Sequence, residues 1–99
     1  APRVRILNGT STQGLDKQTG QFLVGQGILV TEFGATKAID RTSITLYSPK
    51  LYALRFFINM FGITRSPQIL IKPGPMEMVD IEIRLGRDWI NKAPPANAR

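Results

Sequence analysis

The chain contains no cysteine and no histidine. Thiol nucleophiles, disulfides, imidazole bases and Cys/His metal sites are therefore excluded, and no serine has a histidine to activate it. Long hydrophobic runs are also missing. Residues 28–30 and 56–58 form apolar runs of only three, against about 18 for a helix that crosses a bilayer. Acidic residues are scarce: seven Asp and Glu against 13 Lys and Arg. There is one tryptophan, and aromatic residues make up 8% of the chain. What remains is an ordinary globular composition, 42% apolar over 99 residues. That is too apolar for a disordered chain and too short for two independent cores. The chain begins at Ala1 and carries no signal peptide, so it reads as one domain of a longer protein.

The formal net charge is +6 and the isoelectric point is near 10.3. An excess of this kind favours anionic partners such as nucleic acid, acidic lipid or a phosphate-bearing polymer. The bases are scattered and form no block, whereas a dedicated nucleic-acid arm is normally a tight cluster. A merely solvated basic surface and a functional anion-facing patch both fit this pattern.

Residues 3–7 alternate charged and apolar side chains and predict a strand, stopped by the turn-forming pair Asn8-Gly9. Thr10, Ser11 and Thr12 offer caps for a helix over about 13–25, with Leu15, Thr19, Phe22 and Leu23 at helical spacing. Gly14 and Gly20 lie inside that range, as glycines do where a helix packs closely on a sheet. A β-rich run over 28–33 follows, and with the first two elements it has the size of a βαβ unit. Residues 35–41 form a polar connection. Residues 43–47 predict a third strand, with Ile44 and Leu46 on one face. A second helix over about 50–61 has Leu51, Leu54, Ile58 and Phe61 as its apolar stripe. Phe57 and Met60 fall off that stripe, where they would be placed to cover a partner. Strands over 68–71 and 79–85 complete the order βαββαββ. The expected fold is α/β, with α+β as the alternative: a mixed sheet of about five strands and two helices. Residues 1–91 form the domain and 92–99 a disordered tail.

Several of these residues coincide with a known family. Val4-Arg5-Ile6-Leu7-Asn8-Gly9-Thr10, followed by Gly14-Leu15, resembles the opening strand, turn and helix of the LytR C-terminal domain. Gly27 and the strand after it match the next element. Thr42, Ile44, Tyr47 and Pro49 resemble the middle strand. Asp80-Ile81-Glu82-Ile83-Arg84-Leu85-Gly86-Arg87-Asp88, with Trp89 after it, resembles the closing motif. The resemblance covers about residues 3–89. It departs in the first helix, where Gln18, Thr19 and Gly20 stand in place of alanines, and in the loop over 73–76. It implies a non-catalytic, extracytoplasmic accessory domain, tethered to the cell membrane through a LytR-CpsA-Psr parent. The catalytic domain of such a parent attaches anionic glycopolymers to the cell wall. The implied partners are an anionic wall polymer or peptidoglycan and that catalytic domain. Neither cofactor nor metal is implied. The alternative is a nucleic-acid-binding module of a transcriptional regulator. It is disfavoured because the second helix offers only Lys50 and Arg55.

Two segments are candidate binding sites. Asn8, Gly9 and Thr10 could form an anion-binding turn at a helix start, though the glycine spacing is sparse for a phosphate loop and a simple capping turn accounts for them better. Arg87, Asp88 and Trp89 could bind a phosphate or carboxylate and stack on a sugar or base. The structural alternative has Asp88 accepting bonds from a neighbouring turn such as 8–10, and Trp89 covering a sheet edge. Asp80 and Glu82 share a strand face at about 7 Å, a glycosidase-like spacing. On an alternating strand beside Arg84 they are expected simply to face water.

Overall fold

The computed structural model describes residues 1–75 and 77–95. The elements are β1 (Arg3–Asn8), α1 (Leu15–Gly25), β2 (Leu29–Ala35), β3 (Ser43–Leu46), α2 (Leu51–Phe61), β4 (Ile69–Ile71) and β5 (Ile81–Leu85). Short 3-10 turns cover Ser66–Gln68 and Arg87–Trp89. The order is βαββαββ, and five strands form one mixed sheet arranged β2-β1-β5-β3-β4. β1 pairs in parallel with β2 and β5, β3 in parallel with β4, and β3 antiparallel with β5.

This topology places both helices on one face. The crossover through α1 steps outward from β1 to β2, and that through α2 steps outward from β3 to β4. The two steps reverse both strand direction and direction across the sheet, which amounts to a half-turn about the sheet normal. Right-handed crossovers therefore put both helices on the same side. The core joins them there: Val4, Ile6, Ile44, Ile81 and Ile83 of the sheet pack with Leu15, Leu23, Phe57 and Phe61 of the helices.

The helices differ from expectation in two places. α1 begins two residues late, because Gly14 adopts the left-handed backbone (φ 78°) and serves as N-cap. Gly20 is the glycine that packs on the sheet: a Cβ there would strike the Phe33 ring of β2. In α2 the buried stripe is rotated from the expected one. Phe57 is wholly buried, so it is a core residue and covers no partner, while Leu51 is 68% exposed. Nearly every position of this helix is apolar, so spacing alone leaves its rotation undecided.

β2 carries an irregularity with consequences. Val4 pairs with Val30, yet Arg5 pairs with Glu32, so Thr31 is the extra residue. A bulge resets the two-residue alternation. Without it Glu32 would lie opposite the core residue Ile6. With it Glu32 stands beside Arg5 on the helix-free face, and Phe33 falls opposite Ile6, against α1.

The sheet face without helices is where the largest departure lies. Asp80 and Glu82 are 7% and 3% exposed, so the water-facing position expected for them is corrected. Glu82 accepts from Arg5 Nη1 and from Arg84 Nε, both at 2.9 Å. Arg5 also reaches Glu32 and Glu77. The hydrogen bond to Glu82 is the main reason the Arg5 guanidinium is held protonated even more firmly than usual, against some desolvation. Asp80 Oδ2 accepts from the Arg3 amide at 2.8 Å, and Asp80 N returns a bond to Arg3 O. Buried carboxylates need such partners.

Residues 92–94, expected as the start of the tail, are hydrogen-bonded to the domain. Lys92 and Ala93 donate their amides to Trp89 O, and Gln18 Nε2 donates to Pro94 O. The rest of that expected tail, 96–99, lies outside the described residues.

Candidate functional site

Strand direction divides the molecule into two ends. The C-terminal ends of β1, β2 and β5 lie at one, with the N-terminal ends of β3 and β4. The connections 9–14, 36–42 and 86–92 meet there. Both segments singled out in the sequence, 8–10 and 87–89, are thus brought to one place although they are far apart in the chain.

Backbone bonds join the three connections. Gly9 N donates to Leu85 O (2.9 Å), Ile39 N to Gly9 O (3.1 Å), Arg87 N to Ile39 O (3.0 Å) and Asp88 N to Asp40 O (3.0 Å). Two glycines make this approach possible. A Cβ on Gly9 would lie 2.7 Å from Leu85 O, and one on Gly86 would lie 2.6 Å from Thr42 N.

The turn at 8–10 spends much of its polarity internally. Asn8 Oδ1 accepts from Thr10 N (3.0 Å) and Thr10 Oγ1 (2.6 Å), and Asn8 Nδ2 donates to Thr12 O (2.8 Å). Thr12 N donates to Thr10 Oγ1. Those amides are engaged within the turn, which here shapes the chain before α1.

Asp88 is held by a different partner from the one expected. Its Oδ1 accepts from Thr42 N (3.0 Å) and Thr42 Oγ1 (2.8 Å), and Thr42 Oγ1 in turn accepts from Gly86 N. Asp88 thereby fixes the start of β3 against the end of β5.

Trp89 requires a correction. It is 3% exposed, so its ring offers no face to a sugar or base. Its Nε1 donates to Thr19 Oγ1 of α1 at 2.9 Å, and its ring meets Phe61 of α2 edge-on at 4.6 Å between centroids. A buried indole needs such a partner.

Arg87 remains available. Its side chain is 78% exposed, and its only ion pair among the described residues is a long one to exposed Asp40, at 3.7 Å. Arg87 lines an open depression with Asp40, Arg41 and Asp88. Lys37 stands in the same connection as Arg41. Lys17, Arg65 and Lys92 follow the turns at this end. All five of these further bases are exposed, and none belongs to an ion pair among the described residues. The excess charge is therefore not spread evenly. Arg3, Arg5 and Arg84 are used by carboxylates on the helix-free face, and much of the surplus lies at the three-loop end. Lys37 and Arg41, which sequence reasoning missed, join Arg87 as candidate site residues. Their only signal was a polar connection between two strands. No group of three metal-ligating side chains occurs among the described residues.

A family model described as LytR cell envelope-related transcriptional attenuator matches residues 1–89. No curated protein and no solved structure matches the chain.

Proposed function

The chain belongs to the LytR_C family of cell envelope-related domains, and on that premise we propose that it is a non-catalytic accessory module holding anionic wall polymer at its three-loop end. Its place would be outside the cytoplasm, tethered through a parent protein whose catalytic domain is its neighbour. The observation that carries this reading is the set of exposed bases at the three-loop end: Arg87 and Arg41, which line one depression, with Lys37, Arg65 and Lys92, the last three and Arg41 being unpaired among the described residues. Such a set attracts a repeating polyanion by long-range field and low-specificity contacts. Arginines there add bidentate contacts to phosphate or carboxylate. No helix of the described residues is long and apolar enough to cross a membrane; the attachment proposed here is through the parent.

The test is binding of the chain to teichoic-type polymer, followed across a salt series. Binding should weaken steeply between low and high ionic strength, because exposed charges are screened beyond about 10 Å at 0.1 M salt. Lys37→Glu combined with Arg41→Glu and Arg87→Glu should remove it while leaving the fold intact. Salt-independent binding, or none at any ionic strength, rejects the proposal. The nucleic-acid alternative gains little from the fold: Lys50 and Arg55 lie toward the opposite end from these bases, so no helix presents a basic face. A gel shift at physiological salt would revive it.

A further inference from the structure

The end of the molecule opposite the three loops has a different character. It carries the start of α2, the end of β4 and the connection into β5. Tyr52 is 93% exposed, Ile71 72% and Leu51 68%. These side chains belong to one continuous apolar surface. Leu51, Ile71, Pro49 and Pro73 line a shared concavity with Leu46 and Tyr47. Tyr52 extends the surface to Pro2, Ile28 and Phe56. Apolar surface gathered at one end of a small domain marks a contact site.

The charges around it indicate what it contacts. Lys50 and Arg55 line the same surface, and Lys72 lies between Ile71 and Pro73 in the chain. All three are exposed, and none is in an ion pair among the described residues. The nearby acids are committed elsewhere, Asp80 to Arg3 and Glu77 to Arg5. α2 begins here with no acidic residue in its first turn and no side-chain cap, so its positive end adds to the field.

We infer that this end docks on an anionic lipid surface, with Leu51, Tyr52 and Ile71 entering the interfacial layer and Lys50, Arg55 and Lys72 meeting the headgroups. Apolar side chains beside flexible cations suit a bilayer interface, where the aliphatic stems are buried and the charged ends reach phosphate. A protein partner fits less well, because the centres of protein interfaces are depleted of lysine. A second copy of the chain fits poorly too, since a two-fold contact would press these cations against their own equivalents. Docking here leaves the three-loop end pointing away from the bilayer. The inference does not depend on polymer binding at that end.

The test uses vesicles of phosphatidylglycerol and of phosphatidylcholine. The chain should co-sediment with the first, less so as salt rises, and not with the second. Lys50→Glu with Lys72→Glu should weaken binding about 25-fold or more, at about fivefold per lysine near an anionic surface. Leu51→Glu with Ile71→Glu should abolish it, and all four positions are exposed, so folding is spared. Tyr52→Trp should give a fluorescence blue shift on adding phosphatidylglycerol vesicles, beyond any change shown by Trp89 in the parent chain. The Lys37, Arg41 and Arg87 changes should leave vesicle binding nearly unaltered, which separates this inference from the polymer proposal. Equal binding to both vesicle types, absence of binding, or equal loss from charge changes at either end would overturn it. So would lipid-free self-association that depends on Leu51 and Ile71, which would identify a protein interface.

Discussion

Arg5 Nη1 and Glu82 Oε1 lie 2.9 Å apart, joining β1 to β5 across 77 residues of chain on the face of the sheet that carries no helix. Glu82 is 3% exposed, and it holds Arg84 with its second oxygen. Glu82→Ala would leave Arg5 and Arg84 without this carboxylate and should cost about 3 kcal/mol, read as a lower urea midpoint. Arg5→Ala combined with Glu82→Ala should cost less than the sum of the single changes, because each single change strands a charge.

Asp80 supplies a pH dependence. The Arg3 amide, helped by Ser48 and the Arg3 side chain, holds its carboxyl down at about 2 despite partial desolvation. The folded form thus binds the proton less readily than the unfolded form. Its contribution is complete above roughly pH 4, the unfolded carboxylate range, and is lost as pH falls toward the folded value. Urea midpoints measured from pH 5 to pH 2 should fall more steeply in the parent chain than in Asp80→Asn. Parallel curves would show that Asp80 does not contribute this way.

Two glycines should respond in opposite directions to the same substitution. Gly86→Ala drives a methyl group into the backbone of Arg41 and Thr42, and should cost about 3 kcal/mol or more. Gly25→Ala meets nothing within 4 Å and should gain about 0.5–1 kcal/mol by restricting the unfolded chain. Thermal melts of the two variants check both signs.

Trp89 is the sole tryptophan, so its burial is directly visible. Emission should be blue in the folded chain and shift red on unfolding. Trp89→Phe keeps the edge-on contact with Phe61 but loses the bond to Thr19, at about 1–2 kcal/mol. Adding Thr19→Val should recover part of that loss, since it removes the stranded hydroxyl.

Much of the fold is legible in the chain because alternation and helical spacing are local properties. Val4 and Ile6, Ile44 and Leu46, and Ile81 and Ile83 each mark one face of a strand, and those faces do form the core. The sites are less legible. Asp80 and Glu82 follow the pattern of a wet face, and only the arrival of Arg3 and Arg5 from β1 removes them from water. Trp89 follows two charged residues and looks available, yet Thr19 of α1 and Phe61 of α2 enclose it. The bulge at Thr31 carries no local signature, although it decides which face Glu32 and Phe33 occupy.

The sequence by itself determined the order βαββαββ, the absence of histidine and thiol chemistry, the surplus of positive charge and the glycines at the turns. These follow from composition and short-range periodicity. Tertiary structure alone decided which cations are neutralised, that the connections after β1, β2 and β5 share one end, and that α2 buries Phe57 while exposing Leu51. Each of those outcomes depends on which distant segment packs alongside, and contacts between residues far apart in the chain leave no period in the sequence.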